Sequence, residues 1–364
     1  MSTKNAISVS MLEKPTPLYK QVKDMVLTVI KDKKLQAGEM LPAEPALCNM
    51  LEVSSITVRR ALRELGQDGW ICRKPGIGTL VTSKVNAPPR ILVCFRWEVN
   101  ETAYYAQSLI ETFNSVKDKN CDLQIISGSA EYESLYREHK ADGMIIVAPR
   151  INQYPMLQKM KDAGMRFVVL GASSANLDLD FVDCDHAQAA FIAVEYFIRH
   201  EHKNIGLLNG SKNNYDCQSI AAGYLAAMKK NKLPVEPVFM KHIESAQIAE
   251  KKHLSAVQEW LAARMTGKNK ITALLCSGHL LTTDVYISSN AGIMKIPEDI
   301  SVITLDETPV NMALSPPVTT VKQPLKEMAL ETLNGIKAMI KNPQHKLTRT
   351  LSPELIIRNS VKEI

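Results

Sequence analysis

GEMLPAEPALCNMLEVSSITVRRALRELGQDGWICRKPGIGTLV, residues 38 to 81, decides the architecture of the amino-terminal end. After the Gly38 loop, Ala46, Leu47, Met50 and Leu51 recur at helical spacing from about Ala43, and Glu52 and Val53 make a turn. Ser54 then stands as the N-cap of a further helix, because its hydroxyl can accept from a free amide of the first turn. In that helix Val58, Leu62 and Leu65 face inward, which leaves Ser55, Arg59 and Arg63 on one outward stripe with Arg60 beside it. Gly69 ends the helix, and Trp70, Ile71 and Cys72 lead through Arg73, Lys74, Pro75 and Gly76 to Gly78, Thr79, Leu80 and Val81. The spacing predicts a helix-turn-helix followed by a two-stranded wing with a basic tip. An apolar seam opposite an arginine stripe suits a helix lying in the major groove, and a basic wing suits phosphate or the minor groove.

Upstream, Pro17 is a natural first helical residue. Leu18, Val22, Met25, Val26, Val29 and Ile30 follow in a scaffold helix that ends in the basic run Lys31 to Lys34. The charge is concentrated in the same region. Residues 1 to 90 hold 14 Lys and Arg against 8 Asp and Glu, and the remaining 274 residues balance at 30 against 30. The whole formal charge of +6 therefore belongs to the first quarter of the chain, the electrostatic footprint of a polyanion binder.

The start MSTKNAISVS has no apolar signal core and no later run approaches a membrane span, so a cytoplasmic protein without membrane contact is expected. Seven scattered cysteines form no CxxC pair, which argues against a disulfide framework or a zinc site. The eight histidines form no HExxH pattern, and the GxGT at 76 to 79 lacks the strand, lysine and helix of a phosphate loop. No nucleophile with its base is evident. A non-enzyme with no cofactor and no metal is expected.

Residues 17 to 81 resemble the winged helix-turn-helix of the GntR (gluconate-operon repressor) family. The matching residues are Pro17, Leu18, Tyr19, Gly38, Leu41, Pro42, Glu44, Val53, Ser54, Thr57, Val58, Arg59, Ala61, Leu62, Leu65, Gly69, Gly76, Gly78, Thr79 and Val81. The resemblance implies DNA contacts from Glu44, Ser54, Ser55, Thr57, Arg59, Arg60 and Arg63, with Lys74, Gly76 and Gly78 on the wing. Two positions depart from it. The family often has arginine where this chain has Pro45 and Ser55. A serine cannot reproduce the two parallel bonds that an arginine makes to guanine, so the operator is expected to differ from the usual family site.

The Pro-rich polar stretch TSKVNAPPR, residues 82 to 90, reads as a linker between a head at 1 to 81 and a larger domain at 91 to 364. Short apolar runs then alternate with helical segments: ILVCF (91 to 95), LQIIS (123 to 127), GMIIVA (143 to 148), RFVVL (166 to 170), NIGLLNG (204 to 210), ITALLC (271 to 276) and ISVITL (300 to 305). Buried parallel strands separated by helices indicate a doubly wound α/β architecture that binds ligands beyond the carboxyl ends of its strands. The fold class expected is an α+β winged helix-turn-helix head followed by a two-lobed α/β domain.

The second part resembles the periplasmic-binding-protein-like sensor of the lactose- and galactose-repressor family. Asp142, Gly143, Ile145, Phe181, Val182, Asp185, His202, Ile205, Gly206, Gly210, Gly223 and Tyr224 match, and so do Pro297, Ile300, Val302, Asp306, Pro317, Thr319, Thr320 and Gln323. The combination resembles arabinose-type repressors. It implies a homodimer on double-stranded operator DNA, controlled by a small-molecule effector, most simply a sugar. Asp306 is the carboxylate expected to accept from its hydroxyls. Strand ends nominate Trp97 and Tyr104 for stacking, with Arg150, Tyr215, Asp216 and His279 as polar contacts. Rim packing, solvent exposure or local capping explains each of these nearly as well. Where the family has an arginine and an Asn-Asp pair, this chain has Ile220, Gly278 and His279. A regulator that has lost sugar binding and answers another ligand or a partner protein therefore stays open.

Overall fold

The structure, a computed structural model, describes residues 17–85, 87–95, 103–116, 121–128, 131–171, 178–267 and 270–364, with only the backbone of 103–105. The head consists of α1 (Leu18–Asp32), α2 (Glu44–Leu51), α3 (Ser55–Gln67) and the antiparallel pair β1 (Ile71–Lys74) and β2 (Gly78–Val81). Val22, Val26, Ile30, Leu47, Val58, Ala61, Leu65, Ile71 and Val81 form its core. Full burial of each larger aliphatic contributes roughly 1.5–3 kcal/mol, enough in sum to hold three short helices that would not persist alone. The turn after α2 is made at Glu52, with φ of 54°, whose amide donates to the Cys48 carbonyl.

Two lobes follow. The first contains β3 (Arg90–Phe95), α4 (Ala103–Val116), β4 (Asp122–Ile126), α5 (Tyr132–Glu138), β5 (Gly143–Val147), α6 (Tyr154–Asp162), β6 (Phe167–Leu170) and β7 (Phe181–Cys184). The chain then crosses to the second lobe for α7 (His186–Arg199), β8 (Ile205–Asn209), α8 (Tyr215–Lys230), β9 (Met240–His242), α9 (Ser245–Ala249), α10 (His253–Arg264) and β10 (Ala273–Cys276). The lobe continues with α11 (His279–Asn290), β11 (Ser301–Leu305), α12 (Pro309–Ala313) and β12 (Thr319–Lys322). A second crossing returns to the first lobe for α13 (Leu325–Lys341) and β13 (Thr348–Leu351), and a third delivers β14 (Glu354–Ile356) to the second.

The sheets run β13-β7-β6-β5-β3-β4 and β14-β12-β11-β10-β8-β9, parallel throughout except for β14 against β12. Each half reverses its winding beside its first strand, so both present a crevice at carboxyl strand ends. Gly223 makes the second lobe possible: a Cβ there would lie 2.0 Å from the Ala187 carbonyl oxygen, so only glycine lets α8 approach α7 this closely. No helix among the described residues is long and apolar enough to cross a membrane.

Every apolar run noted above falls on a strand, with ends that differ by a residue or two; β3 and β4 begin one residue before their runs. β7, β9, β12, β13 and β14 lie outside those runs. In β12, Thr319 and Thr320 are fully buried because distant groups satisfy them: the Thr319 amide donates to Ser360 Oγ at 2.8 Å, and Thr320 Oγ1 accepts from Arg358 Nη1 at 3.0 Å.

Candidate nucleic-acid interface and interlobe pocket

The head presents one continuous exposed edge. Ser54 caps α3, its Oγ accepting from the Thr57 amide at 3.4 Å and sharing a 2.8 Å hydrogen bond with Thr57 Oγ1. That cap projects Ser55, Arg59, Arg60 and Arg63 outward, all exposed. Arg59 Nε donates to Glu44 Oε2 at 2.9 Å, and Arg73 Nη1 lies 3.8 Å from Glu44 Oε1. One carboxylate from α2 thus lies between a guanidinium of α3 and one of the wing. Arg60 stacks over the Tyr19 ring at 3.7 Å, which braces it to α1. The wing turns through Gly76 (φ 75°) and Gly78 (φ 138°), left-handed values that favour glycine, and Lys74 is exposed beside them. Ile56, in the first turn of α3, is 79% exposed. Nothing in the spacing assigns it a role, and a β-branched residue off the apolar seam is the one signal it leaves in the sequence.

Between the lobes is a pocket of about 220 Å³ lined by Ser108, Thr112, His279, Asp306, Thr308, Lys322, Gln323 and Lys326, among others. Asp306 ends β11 at φ 73°, a strained conformation held by its amide donating to the Val321 carbonyl at 3.0 Å and its carbonyl accepting from Asn311 Nδ2 at 2.8 Å. Gln323 Nε2 donates to Asp306 Oδ1, while Gln323 Oε1 is buried without a partner. Burial raises the Asp306 carboxyl above the usual carboxylate range, against the opposing effect of Gln323. His279, at the start of α11, is kept below the usual histidine value by burial. It is therefore a neutral ring at pH 7.

Behind the pocket, His186 Nε2 lies 3.2 Å from Asp183 Oδ1 at the first crossing. Burial works against its charge, but the Asp183 carboxylate prevails, with Asp216 and Asp306 adding to it, and lifts the imidazole to about 9. Neither His186 nor Asp183 is among the residues singled out in the sequence, so this ion pair comes from the structure alone. Arg358 forks onto Glu307, with Nη1 3.1 Å from Oε2 and Nη2 2.5 Å from Oε1, which occupies one carboxylate of the rim.

The nominated effector residues separate. Asp306 and His279 line one pocket. Tyr215 packs edge-on against Tyr154 of the first lobe, ring centroids 5.1 Å apart, and Asp216 follows it at the start of α8. Arg150 is exposed and caps a turn, its amide donating to Gln153 Oε1 at 2.7 Å. Trp97 and the Tyr104 side chain lie outside the described residues. Ile220 is buried in the second-lobe core, 2% exposed, so the position where the family has an arginine here serves packing.

Chemically, the pocket offers hydroxyl, carboxylate and ammonium groups around a small volume. It contains no cysteine, and those at 94 and 276 are buried elsewhere, with thiols pushed up to about 12. No cluster of three or more metal-ligating side chains occurs among the described residues.

Residues 18–81 match the gntR family of bacterial regulatory proteins, and residues 194–361 match a periplasmic binding protein-like domain. This chain joins a GntR-family head to a periplasmic-binding-protein-like domain. The arabinose metabolism transcriptional repressor of Geobacillus stearothermophilus is 25% identical over 379 residues, spanning 97% of this chain and 100% of that protein. The HTH-type transcriptional repressor PurR of Photobacterium profundum is 24% identical over 64% of this chain and 68% of its own length. Among solved structures, the transcriptional regulator CelR–cellobiose complex superposes with a TM-score of 0.65 at 16% identity, covering 96% of this chain and all of that one. A LacI family regulator from Enterococcus faecium with bound ribose gives 0.63 at 18% identity over 76% of this chain and 99% of its own. The GntR-family head thus carries its exposed arginine edge on a LacI-type fold, and the relatives named are regulators of transcription.

Proposed function

We propose that this protein is a bacterial transcriptional regulator, most simply a repressor, that acts in the cytoplasm as a homodimer on operator DNA. A small molecule in the interlobe pocket sets its affinity, and no catalytic step is involved. The head spans residues 1–81, a linker 82–90, and the effector-binding and dimerisation domain 91–364. The observation that carries the proposal is the exposed edge in which Glu44 holds Arg59 of α3 beside Arg73 of the wing. Ser55, Arg63, Lys74 and Gly76 share that edge. A dimer follows from operator geometry, because two half-sites roughly one helical turn apart require two heads.

The effector proposed is a carbohydrate, bound through Asp306 with His279 and the hydroxyls of Ser108 and Thr112. Relatives that are named for arabinose metabolism or solved with cellobiose or ribose support that class. The burial of Ile220 favours one alternative, a domain that has lost sugar binding and answers a non-sugar ligand or a partner protein.

Selection of random duplexes by the full chain tests the DNA half. The expected product is a two-fold-related sequence, bound more weakly as salt rises. No enrichment together with no affinity at low salt would overturn it. A thermal-shift panel of monosaccharides, disaccharides and sugar acids tests the other half, since a ligand at 100-fold its dissociation constant stabilises by about 2.7 kcal/mol. A panel without any shift favours the alternative.

A further inference from the structure

The head touches the first lobe through a set of polar contacts. Asp24 of α1 pairs with Arg166, the residue before β6, at 2.9 Å, and both are only partly exposed. Lys20 Nζ donates to the Asp162 carbonyl at 3.3 Å, and Lys31 Nζ to the carbonyl of Lys341, the last residue of α13, at 3.3 Å. Lys84 bridges the two bodies. On the head its Nζ donates to the Asp68 carbonyl at 3.1 Å and lies 4.9 Å from the Trp70 ring centroid. On the lobe it pairs at 2.9 Å with Asp142, which also accepts from the Arg90 amide at 2.9 Å. These contacts use α1 and the base of the wing. They leave Ser55, Ile56, Arg59, Arg63 and Lys74 exposed, so docking orients the reading edge without covering it.

One of these contacts, Lys31 to Lys341, lies at one end of an element whose other end is in the pocket. α13 begins at Leu325 and Lys326, both lining the pocket, and ends at Lys341. Its 17 residues span about 25 Å at 1.5 Å per residue. Past its midpoint it packs closely on β5: a Cβ on Gly143 would lie 2.6 Å from the Ile336 side chain, and Gly143 directly follows Asp142. A shift of α13 therefore moves the lobe's grip on Lys84 and Lys31 together. The dock itself is polar, and Arg166 Nε is buried in it without a partner. Such an interface is held by a small margin and can be released by a modest bias.

We propose that the head is a rigid extension of the first lobe, docked through Asp24–Arg166 and Lys84–Asp142, and that α13 links that dock to the interlobe pocket. This rests on the regulator proposed above, but it needs neither the operator nor the effector to be known. Linkage requires the coupling to be reciprocal, so releasing the head must be felt at the pocket end of α13.

Hydrogen exchange on the full chain tests it. Asp24→Arg is expected to speed exchange at residues 82–90 on the order of tenfold, and to speed it at Leu325–Met328 in the first turn of α13. Exchange in α3 should stay unchanged. Asp24→Arg combined with Arg166→Asp should restore both regions. Lys84→Met, which removes the bridging charge and keeps the stem, should release the linker in the same way, and serves if a reversal disturbs the head's fold. Unchanged linker exchange in Asp24→Arg and Lys84→Met, or failure of the double reversal to restore it, overturns the dock. A linker that opens while the first turn of α13 stays unchanged overturns the link to the pocket. Binding of a random-sequence duplex at low salt should be retained in every variant. Its absence in the unmodified chain would strike the regulator reading and leave the docking result standing.

Discussion

Glu44 Oε2 accepts from Arg59 Nε at 2.9 Å, so a carboxylate at the start of α2 aims the guanidinium at the centre of α3. An acid at a polyanion surface weakens binding to every phosphate. Its value lies in holding an arginine, and 3.8 Å away a second one on the wing, in a fixed direction. Glu44→Ala should therefore raise affinity for random duplex and lower the preference for the selected site. A fall of about tenfold or more in that ratio is expected, comparable with one misdirected bidentate contact. Competition binding at one salt concentration measures it, and an unchanged ratio would show that Glu44 only packs.

Ile56 is a large apolar side chain left open on α3, next to a serine where the family often has arginine. An aliphatic side chain in the major groove meets the thymine methyl group. Ile56→Ala should relax the preference for thymine at one position per half-site and leave the salt dependence unaltered. A selection profile identical to that of the unmodified chain would remove Ile56 from the interface.

Asp306 is half-buried at the pocket wall, and desolvation there holds its carboxyl above the ordinary range, so its charge costs stability. Asp306→Asn keeps an acceptor for Gln323 and removes that cost. Thermal unfolding is expected at an equal or higher temperature, with ligand-induced stabilisation lost. A variant that melts well below the unmodified chain would make Asp306 a structural group first.

His186 gives the pH dependence. Its folded value of about 9 exceeds the ordinary 6.5, so its stabilisation is fully present below pH 6.5 and is lost as pH rises through about 9. His202 and His279 are held below the ordinary value by burial, so their effect appears as pH falls toward and below 6.5 and does not overlap that window. Between pH 6.5 and 9 denaturant-unfolding stability should decline by up to about 3 kcal/mol, and His186→Asn should flatten the decline. Equal slopes in both proteins would show that the pair with Asp183 stays neutral or forms equally in the unfolded chain.

Much of the head was legible because its signals are local. The Ser54 cap, the seam of Val58 and Leu65, and the glycines of the wing act within a few residues of themselves. The α/β alternation was legible for the same reason, since strands buried on both faces are apolar runs. What stayed hidden depends on partners far along the chain. The strand at Thr319–Lys322 is polar in sequence and buried only because Ser360 and Arg358 reach it. His186 is the local exception: Asp183 stands three residues before it, and the pair forms because the turn from β7 into α7 brings the two side chains to 3.2 Å, a geometry that spacing alone does not give. Ile220 reads as an exchange in a ligand site, yet its side chain belongs to the second-lobe core. In the head the legible residues carry its framework, whereas Glu44's hold on Arg59 spans 15 residues and exists only once α2 and α3 are packed together.

The three crossings have a consequence for how the molecule comes into being. The core of the head draws only on residues up to Val85, whereas the first-lobe sheet is incomplete until Thr348–Leu351 joins β7. On the ribosome the head can therefore finish folding while most of the sensor is still unmade. A chain interrupted in between would keep the exposed arginine edge without the interlobe pocket, and in the proposed regulator that means a head with nothing to govern it. For such a protein, complete synthesis is itself a condition of control.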